Sequence, residues 1–242
     1  MKKTKNMAHR GFSAQYPENT MVAFEQARLA GADGFEIDVH LTKDGQIVVI
    51  HDEKVDRTTN GTGWIKDLTW EQIKELDSGS WFHSQFASEQ IPSLQDVLQY
   101  VYRHGLMLNI ELKNNIVPYP SLEEKLIQEI IHFGLEDQVY LSTFNHHSLH
   151  VLKEIAPTIQ SAALYVARMY QPWQYANLIG VEAIHPHYQS ITDSDIKQCH
   201  EQGLKVRAWT VDDETQMQRL LLAEIDAIVT NVPDRLAQLQ AV

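Results

Sequence analysis

Two rhythms of hydrophobic positions alternate along the chain. Short apolar runs with a period of two, which suit strands, give way to stretches with apolar residues three and four apart, which suit helices. A short apolar approach to His9 leads into PENTMVAFEQARLAG, where Ala23, Phe24, Ala27 and Ala30 recur at helical spacing and Gly31 supplies a stop. A strand opens at Gly34, and an Asp44-Gly45 turn leads to a run from 47 to 50 that ends in His51-Asp52. From Ser93 the alternation is regular. SLQDVLQYVYRHG reads as a helix with a Ser cap and a Gly end, LMLNIEL as a strand, SLEEKLIQEIIHFG as a helix, VYLSTF as a strand, and HHSLHVLKEIAP as a helix stopped by Pro157. SAALYV, a short helix from Trp173 to Ile179, EAIHPHY, the capped helix TDSDIKQCHEQG, KVRAWTV, ETQMQRLLLAE, IDAIVTNVP and a short helix from Asp234 complete the series.

Eight strands each followed by a helix, at about 30 residues per unit, is what a (β/α)8 TIM barrel requires. An open doubly wound sheet would show the same alternation, but it is expected to carry a Gly-rich phosphate loop after its first strand, and none is present. Between His51 and about Ile91 the pattern dissolves, leaving Trp64, Trp70, Trp81, Phe82 and Phe86 with a helical hint from Trp70 to Leu76. About forty residues without a pattern are unusual in a compact domain and mark a lid, an insertion or a binding loop. The expectation is one domain over 1–242 with a small insertion after the second strand region, at about 52–92, whose aromatics either pack on one another or meet a ligand.

Composition narrows the class. Of 242 residues, 43% are hydrophobic and 21% charged, which suits a soluble globular protein. No apolar run approaches the roughly 18 residues of a membrane span, and the basic start moves into a strand without a secretory apolar segment of about 7 to 15 residues, so the expected location is the cytoplasm with no stable membrane insertion. The single cysteine, Cys199, cannot form an internal disulfide and reads as a small buried hydrophobe. A net charge of −12, with no basic stripe alternating with aromatics, argues against nucleic acid as a partner and leaves room for a small phosphate ester in a locally positive pocket. Oligomeric state is not readable.

The candidate chemistry lies where a barrel keeps it, at the C-terminal ends of strands. His9 and Arg10 end the first strand, Glu36 and Asp38 the second, Glu111 and Lys113 the third and Trp209 the seventh, while His51 ends the extension after the second. Glu36 and Asp38 sit two apart, so the strand period aims both carboxylates to one side, and Glu111 and Lys113 share parity in the same way. Carboxylates inside a barrel carry a large desolvation penalty unless a metal or basic side chains compensate. Three of them around one point suit a hard divalent cation, Ca²⁺ or Mg²⁺, and an ion pair with Arg10 and Lys113 is the alternative. His185 and His187 share parity near the end of the sixth strand and are further candidates to line the pocket.

These residues carry a resemblance. His9-Arg10-Gly11, Pro17-Glu18-Asn19-Thr20, Glu36-x-Asp38, Lys43-Asp44-Gly45, Val48-Val49-Ile50-His51-Asp52, Glu111-Leu112-Lys113 and Ala208-Trp209-Thr210-Val211 resemble, in order over nearly the whole chain, the signature series of the glycerophosphodiester phosphodiesterase family. The resemblance implies a TIM barrel that hydrolyses glycerophosphodiesters to sn-glycerol 3-phosphate and an alcohol with a divalent metal. It implies His9 and His51 as the acid/base pair, Glu36, Asp38 and Glu111 as metal ligands, and Arg10 and Lys113 as phosphate binders. Trp209 is either barrel packing or a pocket wall for glycerol, whereas Glu18 and Asn19 read as helix-start and loop-fixing residues and Asp44 and Asp52 as turn residues. Family members often carry Asp where Asn231 stands, which leaves the part played by the eighth strand open. Two competing readings are a phospholipase D-like relative acting on lysophospholipids or sphingomyelin and a non-catalytic phosphodiester-binding module, which would lack a histidine or carboxylate that this chain retains.

Overall fold

The structure, a computed structural model, describes residues 4–241; residues 1–3 of the basic start and residue 242 lie outside the described residues. Its strands are β1 (Lys5–His9), β2 (Gly34–Leu41), β3 (Ile47–Val49), β4 (Met107–Leu112), β5 (Val139–Thr143), β6 (Gln160–Tyr165), β7 (Ala183–Pro186), β8 (Lys205–Ala208) and β9 (Ala227–Thr230). All except β3 pair in parallel in the order β1-β2-β4-β5-β6-β7-β8-β9, and β9 pairs with β1 to close the ring. This is the (β/α)8 barrel that the alternation predicts. β3 instead runs antiparallel to β2, with Val39 opposite Val49 and Leu41 opposite Ile47, so the Asp44-Gly45 turn makes a hairpin that returns the chain to the barrel mouth at His51.

The helices are α1 (Met21–Leu29), α2 (Trp70–Ile73), α3 (Leu94–His104), α4 (Leu122–Phe133), α5 (His146–Ile155), α6 (Pro172–Ile179), α7 (Asp193–Glu201), α8 (Glu214–Leu222) and α9 (Pro233–Gln240). Their ends follow local chemistry. Ser93 and Asp96 form a capping box at the start of α3, and Gly105, with φ 62°, ends it. α3 then buries Leu94, Val97, Leu98 and Val101 against the barrel's outer face. Full burial of one such Leu stabilises by about 1.5–3 kcal/mol, and Leu98→Ala is expected to cost about 2–5 kcal/mol because a cavity is left as well. Gly34 has a different reason to be Gly: a Cβ there would lie 2.0 Å from the Met107 carbonyl oxygen, so the close approach of β2 and β4 depends on it.

Inside the ring, Met7, Tyr140, Ala227 and Val229 form a separate plug beneath the mouth, with Met107 and Trp209 against it. The segment 52–92 has its own small core, in which Val55, Ile65, Ile73 and Ile91 pack with Val48 and Ile50 of the hairpin. Trp81, Phe82 and Phe86 run edge to face at 5.6 and 5.8 Å, and Phe86 meets Tyr16 at 5.6 Å. These rings are packing groups. No helix among the described residues is long and apolar enough to cross a membrane.

Candidate active site

β2 and β4 lie side by side with Glu36 opposite Asn109 and Asp38 opposite Glu111. The shared parity and this register bring three carboxylates to one spot, with one oxygen each of Glu36, Asp38 and Glu111 within 4.8 Å of one another. β1 pairs with β2 on the other side and delivers His9 beside them, its Nε2 3.9 Å from Glu36 Oε2. The chain then turns sharply. Arg10 has φ 56° and Gly11 φ 81°, a backbone path that non-glycine residues adopt at a cost, and it points the Arg10 amide at both the carbonyl and Oε2 of Glu36, at 3.0 and 3.1 Å.

The charges are arranged unequally. Asp38 is buried, which opposes its ionisation, yet Arg10, Lys113 and His51 together with a 3.0 Å bond from Asn19 hold its carboxyl well below the usual range. Arg10 Nε lies 3.3 Å from Asp38, and Lys113 Nζ lies 3.7 Å from it while donating to Glu111 at 2.8 Å. Burial opposes the charge on Arg10 and Lys113 too, but the facing carboxylates outweigh it and hold both above their ordinary values. Glu36 is pushed well up by burial and then by the charges of Asp38 and Glu111; Glu111 rises to about 7, from burial first and Asp38 second. Two cations do not satisfy this cluster. Glu36 Oε1 is buried without a hydrogen-bond partner among the described residues, so an oxygen is left bare among three acids. The donor set is all oxygen, and it is compatible with a divalent cation.

Each histidine is held at Nδ1. His9 Nδ1 lies 2.7 Å from Asn231 Oδ1, and because the Asn231 amide donates to Asp212 at 2.6 Å, its oxygen must accept, from His9 and from Ser13 Oγ. Burial, followed by the Arg10 charge, lowers His9 to about 4. His51 Nδ1 lies 2.6 Å from Asp52 Oδ1, while Lys113 Nζ donates to its Nε2 at 3.2 Å. Asp52 is lowered to about 2 by its hydrogen bonds from Arg57 in the first place, with burial opposing and His51 adding to the effect. Arg57 also donates twice to Glu18, at 2.9 and 2.8 Å, and Glu18 accepts from Arg10 at 2.9 Å. Behind His51, the ring of His40 bonds the His51 carbonyl at 3.0 Å and the Tyr119 hydroxyl at 2.9 Å.

His9, Arg10, Glu36, His51, Glu111 and Lys113 thus line one side of a cavity of about 60 Å³ at the mouth, with Asp38 grouped with Glu36 and Glu111. The other side is Phe144, Leu164, Val229 and Trp209, whose indole N–H is fixed on the His185 carbonyl at 2.7 Å. Of the residues assigned to the acid/base pair, the metal and the substrate, all but Asp38 line this cavity; His185 lines it too, whereas His187 does not and instead packs edge to face on Trp209 at 5.6 Å. No described residue of 52–92 lines this cavity, although the segment's Arg57 clasps its edge. Several partners differ from their sequence reading. α1 is capped by Thr20, whereas Glu18 and Asn19 bind Arg10 and Asp38; Asp52 backs His51 instead of shaping a turn; and the eighth strand does contribute, through Asn231. Asp44 behaves as expected and accepts from Thr42 and Trp70 in the hairpin turn. Only the adjacency of Asp52 to His51 signals its part in the sequence.

A sequence model of the glycerophosphoryl diester phosphodiesterase family matches residues 9–235. The chain belongs to that family. A glycerophosphodiester phosphodiesterase of Caldanaerobacter subterraneus subsp. tengcongensis is 45% identical over 98% of both chains, and one of Bacillus altitudinis is 42% identical, again over 98% of both. A phosphodiesterase of Oleispira antarctica, solved in complex with the product sn-glycerol-3-phosphate, superposes with a TM-score of 0.87 at 29% identity, covering 98% of this chain and 96% of that one. The family's match begins at His9 and spans every group that lines the charged side of the cavity.

Proposed function

We propose that this protein hydrolyses glycerophosphodiesters to sn-glycerol 3-phosphate and an alcohol, with His9 as general base, His51 as general acid and a divalent cation held by Glu36, Asp38 and Glu111. The observation that carries the reading is two histidines on one cavity, each with Nδ1 tied back, beside three carboxylates whose crowding calls for a cation. Family membership and the named relatives support the substrate class. The hard oxygen donor set favours Ca²⁺ or Mg²⁺. Such an ion, when bound, supplies charge stabilisation for the phosphoryl oxygens.

The chain's own groups do the rest. Arg10 and Lys113 bind the phosphate, and Trp209 with its apolar neighbours walls the organic part. With a phosphate in place, Lys113 has an anion to turn to, and His51 Nε2, no longer accepting from it, takes up a proton from solvent. His9, neutral through burial, takes the proton of the attacking hydroxyl; the bond from phosphorus to the head-group oxygen breaks, and that oxygen takes a proton from His51. Asp52 supports positive charge on the His51 ring. The attacking hydroxyl belongs to water or to the adjacent glycerol carbon, and a cyclic phosphate in a quenched time course identifies the second route.

The test is release of sn-glycerol 3-phosphate from glycerophosphocholine with Ca²⁺, Mg²⁺ or chelator. The reading requires activity that chelator abolishes and that His9→Ala and His51→Ala each reduce by roughly 10²–10⁴-fold; unchanged turnover in both variants sinks it. A lysolipid tested in parallel addresses the phospholipase D-like alternative.

A further inference from the structure

Arg207 on β8 is buried, its side-chain hydrogen bonds go to neutral groups, and the carboxylates of Asp226 and Glu182 act on it through their charge. The guanidinium stands 3.9 Å over the Tyr140 ring, one nitrogen bonds His185 Nε2 at 3.1 Å, and another donates to Gln160 Oε1 at 3.1 Å. Burial opposes its charge and holds it below its ordinary value, although those carboxylates offset part of the cost. A guanidinium has donors and no acceptor. The contact with His185 therefore has one sense, in which Arg207 donates to the lone pair on Nε2. The proton of a neutral His185 ring is then on Nδ1.

His185 lines the same cavity as His9, Glu36 and Lys113. Burial and the Arg207 charge hold it well below its usual value, so the ring is neutral. Asn109, also in the cavity wall, repeats the arrangement: its Oδ1 accepts from Ser142 at 3.0 Å, which leaves the amide N–H groups as what it can offer. Both side chains thus have their acceptor atom occupied by a buried neighbour. The charged groups that suit a phosphate, Arg10 and Lys113, belong to β1 and β4, whereas His185 stands on β7 next to the apolar side chains of Leu164 and Trp209, which offer an oxygen little else.

We propose that His185 is a substrate-binding residue whose Nδ1–H donates to an uncharged hydroxyl oxygen of the glyceryl half of the phosphodiester, with Arg207 as the positioning residue that fixes this donor. The proposal rests on glycerophosphodiesters being the substrates. A lone neutral donor matches an uncharged oxygen, and a substrate without hydroxyl groups gains nothing from it.

The experiment compares glycerophosphocholine with bis(p-nitrophenyl) phosphate, a phosphodiester that has no hydroxyl, using the metal-loaded protein. His185→Phe is expected to raise KM for glycerophosphocholine roughly tenfold with kcat nearly unchanged, and to leave kcat/KM for bis(p-nitrophenyl) phosphate within about twofold. An unchanged KM, or equal losses on both substrates, overturns the proposal. A wild-type protein that cleaves bis(p-nitrophenyl) phosphate but is inert towards glycerophosphocholine is a failure of the functional reading itself, visible before any variant is made, and it takes the hydroxyl assignment with it. A second measurement does not depend on activity. Nitrogen-15 spectra of the metal-free protein are expected to show His185 protonated on Nδ1, in the wild type and in Arg207→Lys, which keeps a donor, and in mixed tautomers in Arg207→Met. An Nε2–H ring in the wild type overturns the proposal, as does a pure Nδ1–H ring in Arg207→Met.

Discussion

His9 and His51 face the same cavity from opposite surroundings. His9 is enclosed and backed by a neutral amide, with the charge of Asp212 one residue further away; His51 is more open and backed directly by the carboxylate of Asp52, itself clamped by Arg57. The first setting leaves His9 with Nε2 as a proton acceptor, and the second puts a carboxylate directly on Nδ1 of His51. In the proposed mechanism, identical side chains take different tasks according to what stands behind Nδ1, in the same way that unequal environments separate paired acids elsewhere. The difference also maps onto the fold. The His9 side is built from barrel strands β1 and β9, whereas the His51 side depends on the β2–β3 hairpin and the segment after it.

The strongest way to break this comparison is a change of leaving group. His9→Ala and His51→Ala should each lower kcat on glycerophosphocholine by roughly 10²–10⁴-fold. A p-nitrophenyl phosphodiester, whose phenolate leaves without a proton, should recover most of the loss in His51→Ala and little of it in His9→Ala. Recovery in His9→Ala instead would reverse the two roles.

Loosening the clamp should come next in size. Arg57→Met removes the hydrogen bonds to both Asp52 and Glu18, and kcat/KM for glycerophosphocholine is expected to fall roughly tenfold. Arg57→Lys should recover little, since an ammonium cannot span both carboxylates in bidentate fashion. Full activity in either variant would show that the clamp is not needed to hold His51.

Exchanging the backing of His9 sharpens the comparison further. The double variant Asn231→Asp with Asp212→Asn keeps the total charge but places it directly on Nδ1. His9 must be unprotonated to act as base, and its value of about 4 sets the acid side of the kcat/KM profile. A carboxylate neighbour favours the protonated ring, so that limb should move to higher pH by about one unit. An unmoved limb would mean that the backing of His9 does not govern its protonation.

The smallest expected effect is on stability. Asp52 is lowered from 3.8 to about 2 on folding, so it stabilises the protein above about pH 4 and that contribution is lost as pH falls towards 2. Asp52→Asn should therefore show a modestly reduced Tm at pH 7, with the gap to wild type closing between pH 4 and pH 2. A gap that persists at pH 2 would assign the effect to packing.

Much of this site is legible along the chain because the strand period is local. Glu36 and Asp38, or Glu111 and Lys113, must share a face wherever they stand in β2 and β4, and a barrel must gather strand ends at one mouth. The supporting groups are different. His9 and Asn231 are 222 positions apart, Arg57 and Glu18 39 apart, and no periodicity links them. Glu18 and Asn19 read as helix-start residues because acids and amides favour that place, but Thr20 occupies the cap and the turn at Arg10 aims the other two at the charged groups. For most of the aromatics of 52–92 the sequence favours packing on one another over ligand contact, and Trp81, Phe82 and Phe86 do pack so.

The sequence by itself determined the alternation of strands and helices, the barrel that follows from it, and which side chains of each strand point inward, since these rest on spacing and on capping chemistry a few residues long. The tertiary structure decided the rest: that β3 folds back as a hairpin, that Glu36 is left with a bare oxygen, that a neutral amide stands behind one histidine and a carboxylate behind the other, and that Arg207 fixes the ring of His185. The reason is range. Hydrogen bonds and charges act over a few ångströms, and only closure of the barrel brings residues far apart in the chain within that reach.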